Sequence, residues 1–229
     1  MHAPASKDGL GGGTVESERG SVKKVKFTPT LKLHLATPDD FVDFWEPRYT
    51  GARRPYDEHI KIGEALSSDD LRSLMVWKAG PRFREQAENV ANRVNLQELN
   101  QYRNKDGHLD QAAVEQLLSQ VAEPATKGLI WQIAIGHFAR PKEIPLYDVN
   151  VWIAWLTMTD ALTEKWLQRR PTTRKNYFAY REFFHGIRDE GGYEDRRLDR
   201  ALMAFGQFLL SDHAVALSSV TPTPHEREI

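Results

Sequence analysis

Lys127-Gly128-Leu129-Ile130-Trp131-Gln132-Ile133-Ala134-Ile135-Gly136-His137-Phe138 followed by Ala139-Arg140-Pro141-Lys142-Glu143-Ile144-Pro145-Leu146-Tyr147-Asp148-Val149-Asn150-Val151-Trp152-Ile153-Ala154-Trp155 is the stretch that decides the fold. Two apolar runs of helical length flank a loop closed by two prolines, and a single acid opens the second run. The position of Asp148 admits two readings. As an N-cap it accepts bonds from free backbone N–H groups of the first turn, and its charge suits the positive end of the helix dipole. As a catalytic carboxylate at the floor of a cleft it stabilises a developing cation or activates water. The two roles are compatible, because a cap fixes the orientation of the carboxylate.

Outward from this stretch, nearly every segment between the ends has helical spacing, and no run of strictly alternating residues asks for a sheet, so the fold class is all-α. Phe41, Phe44 and Trp45 form one stripe, broken at residues 47–55. Ser67 with Asp70 reads as a capping box opening a helix that carries Leu71, Leu74, Met75 and Trp77 and stops at Gly80-Pro81. Phe83, Ala87, Val90, Ala91 and Val94 recur at steps of three and four, and Leu96 with Leu99 either extends that helix or begins another. Asp106-Gly107 marks a turn before a helix of Ala113, Val114, Leu117, Leu118 and Val121. Leu198, Leu202, Phe205 and Leu209 share a further face.

Residues 1–30, rich in Gly, Ser, Lys and Glu, have no apolar face and are expected to form a flexible tail; residues 212–229, with Pro222 and Pro224, are expected to form a second. The domain between them is expected to span residues 31–211, enough to bury one core.

Composition narrows the chemistry. The chain of 229 residues has no cysteine, which excludes disulfides, thiolate metal sites and a cysteine nucleophile. Its histidines are scattered without metal-ligand spacing, so no metal is expected, and no dinucleotide or phosphate-loop fingerprint points to a cofactor. The formal net charge of −1 gives no global signature of nucleic-acid binding, so any such contact must rest on a local patch. One candidate is the stretch holding Lys165, Arg169, Arg170, Arg174, Lys175 and Arg181 with Trp166, Tyr177, Phe178 and Tyr180 interleaved. It suits phosphate neutralisation and base stacking, and equally an amphipathic helix with a solvated charged face. No apolar run approaches a membrane span and no secretory signal core is present, so a soluble intracellular protein, cytoplasmic or nucleoid-associated, is expected.

The segment 127–155 resembles the helix–hairpin–helix DNA glycosylase superfamily, and within it the 8-oxoguanine DNA glycosylases. The resemblance lies in a lysine, Lys127, before an apolar helix, and in a loop returning through Pro145 to an aspartate, Asp148, with Trp152 one turn on, in the manner of Pro-x-Asp-x-x-x-Trp. It covers about thirty residues well and the other helices loosely. Glu123-Pro124-Ala125-Thr126 stands where that family has a glycine-rich hairpin, and Gly128 follows the lysine instead of preceding it.

The resemblance implies a monomer that binds DNA, flips a damaged or modified base out of the stack and excises it without a cofactor. Asp148 would stabilise the sugar cation, and Lys127 would be the amine nucleophile. Trp131, Tyr147, Trp152 and Tyr180 are the base-pocket candidates, and Asn150, Lys165, Arg169, Arg170, Arg174 and Lys175 the DNA contacts. Two alternatives stand beside it: a non-catalytic nucleic-acid-binding module of the same fold, and a helical protein-interaction domain in which Asp148 is merely a cap.

Overall fold

Helix boundaries follow the capping chemistry. The computed structural model describes residues 37–51, 54–104, 107–159, 161–162 and 173–211, and among them it contains helices and turns but no strand. Thr37 caps α1 (Pro38–Trp45) through a reciprocal box with Asp40, and proline at the first helical position loses no hydrogen bond. A 3₁₀ turn at Glu46–Arg48 leads to α2 (Arg54–His59).

The expected box at Ser67 is present. Its hydroxyl accepts from Asp70 N at 3.1 Å while the Asp70 carboxylate accepts from Ser67 N at 3.0 Å, opening α3 (Ser68–Ala79). Gly80, at φ +74°, stops the helix, because an L side chain resists that backbone conformation. Lys78 therefore lies in the last turn of α3.

One expectation fails locally. Phe83 belongs by spacing to the apolar stripe of α4, yet the chain leaves Gly80 through a 3₁₀ turn (Pro81–Phe83), and α4 begins only at Arg84 and ends at Ala91. The tighter turn rotates Phe83 off the buried face, and it is 46% exposed. Leu96 and Leu99 begin a new helix, α5 (Leu96–Arg103), because the Asn95 side chain caps it by accepting from Glu98 N at 3.3 Å. Asp110 caps α6 (Gln111–Leu117), which widens into a π turn at Leu118–Ala122.

Residues 123–128 connect that turn to α7 (Leu129–Ala139), and the proline loop leads to α8 (Val149–Met158). Then come α9 (Arg174–Gly191), closed by left-handed Gly192, and α10 (Asp195–Leu209). Their buried apolar side chains form one continuous core.

The start of α8 is positioned by α10. α10 lies along α8 and also packs on α1, where Phe41 and Phe205 meet edge to face at 5.5 Å. α3 packs on α2, α4 and α7. Gly206 of α10 touches the backbone of Asn150 so closely that a Cβ there would overlap the Asn150 carbonyl.

The loops are closed by arginines. Buried Arg103 donates to the carbonyls of Lys61, Glu64 and Phe138, Arg140 to those of Tyr102 and Gly107, and Arg181 to those of Leu109 and Glu143. Each guanidinium thus supplies donors to carbonyls of loops and of helix ends, the latter at Tyr102 in the last turn of α5 and Phe138 in that of α7.

Candidate active site at the start of α8

Asp148 caps α8. Its Oδ1 accepts from Asn150 N at 2.9 Å and Val151 N at 3.3 Å. Its second oxygen, Oδ2, accepts from Lys78 Nζ at 2.8 Å, a partner 70 residues away on α3. The pair is sheltered, with the lysine side chain 8% and the aspartate 17% exposed. Capping, dipole and ion pair together hold the carboxylate in one orientation.

A second ion pair lies close to the first. Arg196 and Asp199, one turn apart on α10, bond through Nη1 and Oδ2, and both side chains are more than nine-tenths buried. Burial raises the Asp199 pKa, Arg196 and Lys78 pull it back, and the charge of Asp148 pushes it up again. These influences mark Lys78, Asp148, Arg196 and Asp199 as one cluster of two cations and two anions.

Arg196 and Asp199 line a cavity of about 260 Å³ whose wall also includes Tyr56, His137, Pro145 and Leu146, whereas Asp148 and Lys78 are not among its lining residues. The proline loop thus forms its lining two residues before Asp148.

His137 is fixed as the neutral imidazole. Its Nδ1–H donates to Ile144 O at 2.7 Å, leaving Nε2 to accept from the Tyr56 hydroxyl at 2.7 Å. Burial pushes its pKa down to about 3, and the nearby cations of Arg196, Lys78 and Arg103 push the same way.

The consequence for stability has a definite sign. The unfolded chain takes up a proton near pH 6.5 and the folded chain only near pH 3, so stability is full above about 6.5 and is lost progressively as pH falls towards 3. Urea unfolding across that window should show the decline in the wild type. It should show a much shallower decline in His137→Gln, which keeps a donor for Ile144 O without the titration.

The other expected site residues fall in different places. Lys127 is 86% exposed and pairs with Glu123 at 3.5 Å, so the amine that touches Asp148 is Lys78 instead. Tyr147, Trp152 and Tyr180 are fully buried core residues and do not line the cavity of Arg196 and Asp199. The Tyr147 ring meets Tyr177 edge-on at 5.4 Å and Tyr180 at a tilt at 5.2 Å, which is core packing. Trp131 packs half-buried against the core.

Asn150 lies in the first turn of α8, half-buried. Arg174 turns inward to Glu115, Glu123 and Gln132, so its charge is already answered by protein groups. Lys175 stays exposed, bordering a groove of about 870 Å³ together with His108, His185 and Arg188. Lys165, Arg169 and Arg170 lie outside the described residues.

No family model matches. Nor does any curated protein or solved structure match the chain. Among the described residues no group of three or more His, Asp or Glu side chains could hold a metal ion, and no helix is long and apolar enough to cross a membrane.

Lys78, Arg196 and Asp199 escaped the sequence reading. The first carries no local signal. The other two do, because Arg196 and Asp199 stand three apart in line with Leu202, placing a charged pair on a buried stripe.

Proposed function

We propose that this chain is a DNA-binding base-excision enzyme of the N-glycosylase type, acting as a monomer on a helix–hairpin–helix-like scaffold. The observation that carries this reading is the fixed, sheltered carboxylate of Asp148, joined to Lys78 and preceded in the chain by Pro145 and Leu146, which line a cavity together with Arg196 and Asp199. A base rotated out of the stack enters the cavity, and its sugar comes to rest near the mouth of α8. As the N-glycosidic bond breaks, positive charge grows on the sugar, and a preoriented carboxylate in a dry site stabilises it without reorganising. The bond electrons leave with the base.

Water or the Lys78 amine then attacks C1′. An amine attack gives an imine to the opened sugar after loss of a proton. Asn150 and Lys175 are the described candidates for phosphate contact.

A second reading is favoured by one specific feature. The Asp148 oxygens already accept three bonds, which suits a non-catalytic nucleic-acid-binding module in which the pair is a fastener.

Duplexes carrying single lesions, incubated with the protein and then treated with alkali, separate the two. The enzyme reading expects strand scission at one or more lesions, and a loss of about 100- to 1,000-fold in Lys78→Met/Asp148→Asn, a double variant that removes both charges together. A uniformly intact panel with salt-dependent DNA binding assigns the module instead. Borohydride trapping identifies the nucleophile. An adduct lost in Lys78→Ala and kept in Lys127→Ala assigns the amine to Lys78, and scission without any adduct assigns water.

A further inference from the structure

The cavity of about 260 Å³ combines an apolar wall with an acidic rim. Buried Leu146 and Phe184 and half-buried Ile60 line it, and so does Ile62, which at 63% exposed is the most uncovered large apolar side chain among the described residues. Its charged lining is unbalanced. Four acids, Asp57, Glu194, Asp195 and Asp199, face two bases, Lys142 and Arg196. Asp57 and Asp195 are bonded to Arg200 and Arg188, whereas exposed Glu194 has no ion-pair partner among the described residues. Apolar wall left to water beside surplus negative charge suits an apolar segment that carries lysine.

The chain delivers such a segment close by. Asp39, in the first turn of α1, accepts from the Tyr193 hydroxyl at 2.5 Å, and Tyr193 directly precedes the cavity residues Glu194 and Asp195. The residues leading into α1 therefore arrive near the acidic rim. Residues 31–36 lie outside the described residues and read Leu31-Lys32-Leu33-His34-Leu35-Ala36. Upstream stand Lys23, Lys24 and Lys26, and no acid lies between Arg19 and Pro38. At ~3.3–3.6 Å per extended residue this hexapeptide reaches about 20 Å, well beyond the length of the Tyr193 side chain that separates α1 from the rim.

We propose that residues 31–36 dock into this cavity of their own chain, with the leucines against Ile60, Ile62 and Leu146 and Lys32 at Glu194. In an extended backbone Leu31, Leu33 and Leu35 share one face, so they seat together on the apolar wall while the lysine stem leads its charge to the wet rim. The docked segment closes the cavity. Only one consequence rests on the proposed function: a base from DNA enters after the segment has left. The tests contain no DNA, so their failure leaves base excision standing, and an intact lesion panel leaves the docking standing.

Two measurements on the full chain decide it. Limited digestion of the wild type with trypsin compares cleavage after Lys32 with cleavage after Arg19 and Lys26. Docking should slow the first by about tenfold or more, because the protease meets only the released form. Leu31→Ser/Leu35→Ser should erase that protection, and so should most of it disappear in Glu194→Lys, a position whose side chain makes no cap bond to α10.

Cross-linking gives the location. The chain has no cysteine, so Leu33→Cys/Ile62→Cys admits a single disulfide, and Leu31→Cys or Leu35→Cys with the same partner covers the neighbouring registers. At least one pair should close within the monomer about tenfold faster than Leu33→Cys/Ile62→Cys carrying Leu31→Ser/Leu35→Ser, which keeps the tether and loses most of the apolar face. The proposal is overturned by equal cleavage at the three sites, by closure no faster than in the serine background, or by a disulfide that joins two molecules.

Discussion

Asp148→Asn should lower the unfolding free energy by about 3–5 kcal/mol, the size expected when one partner of a buried ion pair is neutralised and the other charge stays inside. The variant is chosen so that little else changes. Asn keeps an oxygen able to accept from Asn150 N and Val151 N, so the cap on α8 survives, while its amide N–H2 takes the place of the oxygen facing Lys78 and both the charge and that hydrogen bond are lost.

The double variant Lys78→Met/Asp148→Asn should recover most of the loss, because the methionine stem fills the lysine's path without a charge to bury. Equilibrium urea unfolding of the wild type, both single variants and the double variant gives the coupling energy directly. A coupling below about 0.5 kcal/mol would show that the pair behaves like a solvent-screened surface contact, against its burial.

Gly206→Ala should be nearly as damaging, at about 3 kcal/mol or more, for a steric reason. The added methyl meets the carbonyl of Asn150, which is backbone and cannot swing aside as a flexible side chain could. Relief requires α10 to move away from the first turn of α8, carrying its Arg196–Asp199 pair with it.

Thermal unfolding should show the loss of stability, and amide exchange at Asn150 and Val151 should quicken beyond the global effect. Gly186→Ala is the control: nothing lies within 4 Å of a Cβ placed there on α9, so it should be neutral or slightly stabilising.

Much of the helical layout was legible because its signals are local. The box at Ser67, the cap at Asp148 and the glycine stop at Gly80 act across three or four residues, a span that sequence spacing displays directly, whereas the box at Thr37 and the caps at Asn95 and Asp110 went unread. Phe83 shows the limit of that reasoning. It has the right spacing for α4, but a 3₁₀ turn changes the angle per residue and carries the ring outward.

The site was legible only in part, since its essential partnership joins Asp148 to a lysine from another helix, and periodicity says nothing about which faces meet. Tyr147, Trp152 and Tyr180 illustrate the same point from the other side. An aromatic ring lining a cavity and one filling the core have the same spacing, and burial alone tells them apart.

Arginines that clasp loop carbonyls have an electrostatic corollary. Arg103, Arg140 and Arg181 count towards the basic residues in the formal balance, yet their side chains are buried and bonded to main-chain carbonyls, so they keep their charge without offering a donor at the surface. A polyanion at the surface therefore cannot pair with them directly and has to find its cations elsewhere, as at exposed Lys175.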